Sequence, residues 1–338
     1  MIKEAIQKLI KGSDLVEKEM ALAMEEIMTG QATSIQTAAF LTALCVKGES
    51  VAEITAAAQV MRKFATRINV GGKDTLDTCG TGGDYQGTFN ISTLAAIVAA
   101  AAGARVAKHG NRSASSHCGS ADLLEGLGVN INLAPSLVEA SLKETGIGFL
   151  FAPNFHPLMK QVGLVRKELG FRTIFNILGP LSNPAGATHQ ILGLFDKKMV
   201  KPMAEVLKNL GIKHALVVYG RDGLDEITTT SLTDICEVKD NRIRCFTLNP
   251  ASLGIKKSKL SDLKCQVNAE NIRIAGEVLS GKLGPQRDIV ILNAAAALYT
   301  AGFTKDIKSA IKIAEEAIDS GLAKKKLNDL REFSQKSG

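Results

Sequence analysis

Over residues 3–70 apolar positions recur at helical spacing, and no strand pattern interrupts them. Ile2, Ile6, Leu9 and Ile10 form one stripe. A second helix, with Asp14 as its expected cap, carries Leu15, Met20, Met24 and Ile27 and ends at Gly30. A third, capped by Ser34, aligns Ala38, Leu41, Leu44 and Cys45, and a fourth begins at Ser50 and runs to about Arg67. Gly71-Gly72 then marks a boundary, so residues 1–71 are expected to form a small helical domain and 72–338 a larger one.

From residue 75 the pattern changes. Short apolar runs alternate with helical stretches. Strands are expected at 75–78, 105–108, 129–131, 147–151, 189–195 and 214–219. Helices are expected at 94–102, 120–127, 136–145, around 156–169, and between the last two strands. This β-α-β alternation predicts an α/β domain with a mainly parallel central sheet covered by helices. Residues 228–247 differ: the runs at 228–230, 234–238 and 242–246 predict a hairpin turned at Lys239-Asp240-Asn241. Residues 268–334 read as three helices, the last ending in a basic, polar tail.

Composition narrows the class. With 45% hydrophobic and 22% charged residues in 338, the chain can bury a sizeable core in one large domain or two modest ones. Its 41 basic against 34 acidic residues, net +7, suit anionic ligands. Only 4% aromatic residues and no Trp argue against stacking on single-stranded nucleic acid. The longest near-apolar run, 94–104, is short of the roughly 20 residues that span a bilayer. The N-terminal stretch mixes charges with apolar residues and is no signal sequence. A cytoplasmic protein without a membrane span is expected. Six cysteines, at 45, 79, 118, 236, 245 and 265, include no C-x-x-C pair; a reduced thiol set without zinc is expected.

Four stretches carry candidate chemistry. Residues 77–93 place glycines 80, 82, 83 and 87, several hydroxyls and Asp84 between a strand and a helix. Glycines let backbone N–H groups turn inward, and Ser92 and Thr93 stand at a helix start, where anions are favoured. The stretch reads as a phosphate or pyrophosphate cradle, although it matches neither common nucleotide loop. The alternative is a turn that only connects strand to helix. Lys108-His109-Gly110-Asn111-Arg112-Ser113-Ala114-Ser115-Ser116 follows a strand and packs cations, an amide and hydroxyls into nine residues. It suits a phosphorylated sugar, with a solvated basic loop as the alternative. Ser120 is a further candidate cap and phosphate donor. Gly223-Leu224-Asp225-Glu226 follows the 214–219 strand, where α/β sheets place ligands; it fits Mg²⁺, or a pair of solvated turn acids. Arg166 reads by spacing alone as a surface arginine.

These motifs together resemble the anthranilate phosphoribosyltransferase family. The residues that carry the resemblance are 77–84, 90–93, 108–112 with Ser115-Ser116, 119–122, 179–185 and 223–226. They stand in the family's order and extend along most of the chain. The resemblance implies transfer of a phosphoribosyl group from phosphoribosyl pyrophosphate (PRPP) to the amine of anthranilate, in tryptophan biosynthesis. It implies a site between the two domains, a helical contribution to the small domain from about 156–187, and a homodimer formed through the helical domain. PRPP would be held by Gly80, Gly83, Asp84, Thr88, Asn90, Ile91, Ser92, Thr93, Lys108, His109, Gly110, Asn111, Arg112, Ser113, Ala114, Ser115, Ser116 and Ser120. Ser92, Asp225 and Glu226 would hold two Mg²⁺ per subunit. Gly80, Asn111 and Arg166 would contact anthranilate, with His109 and Pro180 along its path, and Arg166 becomes a carboxylate clamp.

One position departs from the family, which most often has Lys-Ser where this chain has His117-Cys118. A fixed cation gives way to a group that titrates near neutrality. Metal-assisted departure of pyrophosphate and a neutral aromatic amine require no nucleophilic side chain and no strong base, so Cys79 and Cys118 are expected to be dispensable. Two other readings stay open on sequence. One is a pyrimidine nucleoside phosphorylase of the same fold; the other is a nucleic-acid binder using the basic charge, against which the acidic and glycine motifs argue.

Overall fold

The structure, a computed structural model, describes residues 1–112 and 118–336. The chain opens with four helices: α1 (Ile2–Ile10), α2 (Glu17–Met28), α3 (Ser34–Lys47) and α4 (Val51–Phe64). Ser50 caps α4 as expected, accepting from Glu53 N. Two caps differ. Thr33 rather than Ser34 caps α3, and Val16 stands at the N-cap of α2 while Asp14 pairs with Lys47. There follow β1 (Leu76–Asp77), α5 (Ile91–Ala101), β2 (Val106–Gly110), α6 (Ser120–Gly126), α7 (Pro135–Thr145) and β3 (Ile147–Phe151). Then come α8 (Ala152–Phe155), α9 (Lys160–Leu169), α10 (Phe175–Leu181), β4 (His189–Gly193), α11 (Val200–Asn209) and β5 (His214–Gly220). The chain ends with β6 (Thr233–Lys239), β7 (Arg242–Leu248), α12 (Asn268–Leu279), α13 (Pro285–Thr300), α14 (Ile307–Asp319) and α15 (Leu322–Lys336).

The seven strands form one sheet in the order β3-β2-β1-β4-β5-β6-β7. The first five in that order are parallel; β6 and β7 are antiparallel and form the expected hairpin. Helices cover both faces. In β5, Leu216 and Val218 join the core formed with α5, α13 and α14, while Ala215 and Val217 join the core shared with α4 and α11. A strand buried on both faces reads as an unbroken apolar run, which is how β5 appears in the sequence. The helical unit α1–α4 packs with α9 and α10. Arg62 on α4 ties it to the rest, donating to Leu181 O (2.7 Å) and Leu210 O (3.3 Å). β1 has only two residues, yet β2 and β4 flank it on opposite sides, so the strand order reverses there. Open α/β sheets bind ligands at such a switch point, beyond the carboxyl ends of the strands. No helix among the described residues is long and apolar enough to cross a membrane.

Four expectations need correction. Residues 129–131 form no strand: Val129 N bonds back to Leu124 O at the end of α6, and Asn130 N donates to Ser334 Oγ, so the segment's amides go to other partners. Residues 228–230 are not a strand either, because Thr228 and Thr230 turn their hydroxyls onto the Asp222 carboxylate. The C-terminal part has four helices rather than three, separated at Gly281, Gly302 and Gly321, each with positive φ. Finally, Cys236 and Cys245 are disulfide-bonded, while Cys45, Cys79 and Cys265 are free thiols. The hairpin register sets Cys236 directly opposite Cys245, which a spacing of nine residues does not reveal.

The helical unit contains one charge that its core depends on. Glu53 is fully buried; it pairs with Lys47 at 2.8 Å and accepts from Leu15 N (2.9 Å) and Ser50 N (2.8 Å). Glu53→Ala strands both amides and takes from Lys47 the buried one of its two carboxylate partners, leaving Asp14, and is expected to destabilise this unit by about 2–5 kcal/mol. Urea unfolding followed by circular dichroism checks this; a loss under about 1 kcal/mol, within the range of a surface pair, would count against it.

Candidate active site

A cleft of about 990 Å³ lies between the helical unit and the carboxyl ends of the parallel strands. The loops after β1, β2, β4 and β5 form one wall. Met61 of α4, Arg166 of α9, and Phe175 and Pro180 of α10 stand on the other. Residues from all three expected polar loops thus meet at one end of the sheet.

The glycine-rich loop and the acidic pair interlock. A Cβ at Gly193 would lie 1.7 Å from Asp225 O, and one at Gly80 would lie 2.9 Å from Asp225 Oδ2. Glycine at 193 lets the β5–β6 loop rest against the end of β4, and glycine at 80 leaves the Asp225 carboxylate its place beside the end of β1. Thr81 donates from N (2.9 Å) and Oγ1 (3.2 Å) to Gly193 O. Gly82 N donates to Asp225 Oδ2 at 2.9 Å, and Ser92 N, in the first turn of α5, donates to Glu226 Oε1 at 3.1 Å. The acidic pair therefore occupies backbone donors of the kind that bind anions.

Asp84 joins Asp225 and Glu226, and the charges oppose one another. Burial and the nearby Asp84 push Asp225 up to about 7. Burial and Asp225 push Glu226 well above the usual carboxylate range, and Asp84 is raised mainly by burial. Among the described residues none of the three forms an ion pair with a basic side chain. Crowded, desolvated carboxylates beside a hydroxyl are a donor set for a hard divalent cation such as Mg²⁺.

The basic loop is only partly free to bind. Lys108 is buried, with Nζ 3.1 Å from both Thr78 O and Thr78 Oγ1. Arg112 lines the cleft, but its guanidinium is taken by Asp122 and Glu125, each at 2.8 Å. His109 Nδ1 lies 3.2 Å from Gly179 O; a carbonyl can only accept, so Nδ1 carries the proton and Nε2 is an acceptor. Burial lowers His109 to about 3 and His156, whose ring lies 5.1 Å away, to about 4. Both imidazoles are neutral near pH 7, and neither Nε2 has a hydrogen-bond partner among the described residues.

Gly80, Gly83, Asp84, Thr88, Asn90, Ile91, Ser92, Lys108, His109, Gly110, Asn111, Arg112, Ser120, Arg166, Pro180, Asp225 and Glu226 all line the cleft. Thr93 does not: it is buried on the far side of α5, in a small void with Ile97 and Leu124. Ser120 is the first residue of α6 rather than its cap, which is Gly119. Ser113, Ala114, Ser115 and Ser116, and the unusual His117, lie outside the described residues. Burial raises Cys118 to about 11. Arg166 is no surface arginine. It is half-buried, lies over the Phe175 ring at 5.6 Å, and has no hydrogen-bonding partner among the described residues.

Among the cleft residues that escaped the sequence reading are His156, Arg172 and Phe195. Gly170, the left-handed cap of α9, marks where the chain turns back toward the cleft and could have pointed to Arg172. Below the loop, ligand atoms of Asp77, Cys79 and His109 lie within 4.8 Å of one another. Both Asp77 oxygens already accept, from His109 N (3.2 Å) and Asn183 Nδ2 (2.7 Å), and burial pushes the Cys79 thiol far up. This cluster ties β1, β2 and the 183–185 segment together.

Residues 3–65 match the family model described as the glycosyl transferase family helical bundle domain, and residues 72–324 match its a/b domain. The chain is 51% identical over 334 residues to an anthranilate phosphoribosyltransferase of Methanobrevibacter smithii, covering 99% of each. It superposes on the crystal structure of the Thermus thermophilus anthranilate phosphoribosyltransferase with a TM-score of 0.93, at 44% identity over 98% of this chain and 99% of that one. The Saccharomyces cerevisiae enzyme in complex with PRPP and Mg gives 0.91 at 30% identity, covering 99% and 98%. With both parts of the chain matched and the relatives covered end to end, the chain belongs to the anthranilate phosphoribosyltransferase family.

Proposed function

We propose that this cleft transfers the phosphoribosyl group of PRPP to the amine of anthranilate, giving N-(5-phosphoribosyl)anthranilate and pyrophosphate, a step of tryptophan biosynthesis. One observation carries the reading. Three crowded carboxylates lie in and beside the glycine-rich loop on one wall, and the guanidinium of Arg166, with no hydrogen-bonding partner among the described residues, stands on the other. The arrangement suits a metal-bound diphosphate at one end and a carboxylate-bearing acceptor at the other. A nucleoside phosphorylase would gain nothing from these acids, which would repel its inorganic phosphate.

Ser92, Asp84, Asp225 and Glu226 would hold Mg²⁺, with room in this donor set for two ions. When bound, Mg²⁺ neutralises the diphosphate and so eases its departure. The chain supplies position and charge. The N–H groups of Gly82 and Ser92, now held by Asp225 and Glu226, become donors to phosphate oxygens. Lys108 braces Thr78 at the root of the loop. Arg166 grips the acceptor carboxylate with its planar fork and aims the amine at C1 of the sugar. His109 and His156 stay neutral, so neither competes with Arg166 for that carboxylate. The amine is already neutral, and no side chain need take its proton before attack.

The partner would be a second copy of the chain. Ile35, Ala39, Thr42 and Val46 stand at helical spacing along α3, with Ile35 83% and Val46 84% exposed, and Leu164 on the adjoining α9 is also exposed. This stripe on the helical unit fits a homodimer interface. Sedimentation is expected to give twice 35.8 kDa for the natural chain and the single mass for the Ile35→Asp, Val46→Asp double variant. A natural chain that sediments as a monomer at micromolar concentration would end the dimer reading.

The deciding experiment follows anthranilate fluorescence after PRPP is added, with and without Mg²⁺. A Mg²⁺-dependent loss is expected; its absence from folded protein would refute the reaction. Because Asp225 is protonated below about 7, Mg²⁺ must displace a proton there. The Mg²⁺ concentration for half-maximal rate should therefore rise as pH falls from 8 to 6, by up to about tenfold per unit. Independence of pH would exclude Asp225 as a ligand. Arg166→Ala should raise the anthranilate KM about 10- to 100-fold and change kcat less, since a lost charge-assisted fork is worth about 1.5–3 kcal/mol. An unchanged KM would show that Arg166 is not the clamp.

A further inference from the structure

Arg172 lies in the turn between α9 and α10, just past Gly170, whose φ of +66° ends α9. Its Nη2 donates to the carbonyl of Gly83 in the glycine-rich loop. Its guanidinium carbon lies 3.8 Å from the centroid of the Phe195 ring, which follows β4, and 5.1 Å from that of Tyr85 in the loop itself. A Cβ at Gly83 would sit 2.8 Å from Nη2, so glycine there admits the fork. The backbone of Arg172 is held from the helical unit, where Cys45 Sγ of α3 lies 3.5 Å from Arg172 O. One side chain thus spans the cleft from the helical side to the phosphate loop.

We propose that Arg172 is a positioning residue. Stacked on Phe195, its planar fork holds the glycine-rich loop in the shape that receives the diphosphate end of the donor, and links that loop to the helical unit. Other holds on the loop run from Asp225 to Gly82 N and from Gly193 O to Thr81, and at its far end Cys265 N donates to Gly87 O and Phe89 N to Leu263 O. The first is the one surrendered when a cation claims Asp225, which frees the Gly82 N–H for phosphate. A carbonyl oxygen is no partner for an anion, so the Arg172 hold on Gly83 persists while the ligand binds. Arg is required because flat stacking and an in-plane hydrogen bond are met together by a guanidinium and not by an ammonium. The remaining N–H donors of Arg172 have no protein partner among the described residues, and the side chain lines the cleft.

The hold on the loop stands by itself; its consequence for the donor rests on the proposed transferase reading. The test separates the two. Hydrogen–deuterium exchange of the full-length, ligand-free protein is followed in peptides covering residues 79–90. Arg172→Ala and Arg172→Lys are both expected to speed exchange there about 10-fold or more, with α13 as protected as in the natural protein. In steady state the PRPP KM should rise about 10- to 100-fold while the anthranilate KM moves less than about threefold, the reverse of the Arg166→Ala pattern. Unchanged loop exchange, full rescue by lysine, or equal rises in both KM values would overturn the proposal. If Arg172→Ala fails to fold, Phe195→Leu removes the ring beneath the guanidinium. It should give a smaller rise in exchange at the same peptides, and no rise would overturn the proposal equally. If the natural protein shows no turnover, exchange alone still decides the hold on the loop.

Discussion

Asp84, Asp225 and Glu226 are forced together at the end of the sheet, and the rest of the site is arranged around the electrostatic cost. Each carboxylate loses water; Asp84 raises the energy of ionising both of the others, and Asp225 raises that of Glu226. The fold offsets part of this with backbone donors from Gly82 and from the start of α5. It leaves the rest as proton affinity, which a divalent cation can exploit. The requirement explains why glycine stands at 193, where any side chain would drive the acidic loop out of position, and at 80, where a Cβ would press on the Asp225 carboxylate.

The sheet makes this crowding possible. β1 is short, but its neighbours lie on either side, so loops from β1, β2, β4 and β5 emerge beside one another. Asp77, buried and raised to about 6, fixes the base of that arrangement by tying β1 to the His109 amide of β2 and to Asn183. Asn183 in turn bonds Ala107 O at 2.8 Å and Ala185 N at 2.9 Å, locking the segment after α10 against the strands. The position of α10, and with it Pro180 and Phe175, is thus set from beneath the site.

The opposite wall is made of helices whose packing belongs to the small unit. α9 presents Arg166 to the cleft because Val162 and Val165 are buried in the helical core, leaving the arginine at the edge over Phe175. Acceptor and donor ends of the cleft therefore belong to different packing units, joined by Arg62, the α9–α10 turn and Arg172. The spacing between the two ends depends on how those units sit against each other.

Much of this was legible in the chain. Helical periodicity marked α1 to α4, alternation marked the parallel strands, and contiguous residues spelled out the glycine loop, the basic loop and the Asp225-Glu226 pair. Such features are local: backbone conformation and cap chemistry are decided by neighbours within a few residues. What the local pattern could not supply was direction and partnership. Val129 and Ile131 alternate like a strand, yet the backbone donors of that stretch are spent on α6 and α15. Thr93 adjoins Ser92 but turns into the core, because successive helix positions point about 100° apart. Arg112 looked free until Asp122 and Glu125 were folded against it. Cys236 met Cys245 only through hairpin register. Arg166 and Arg172 acquired meaning only when α9 and the turn after it were laid across the strand ends. The sequence determined which loops could bind a phosphate and a metal. Tertiary structure alone decided which side chains face them, because that depends on how the two units pack.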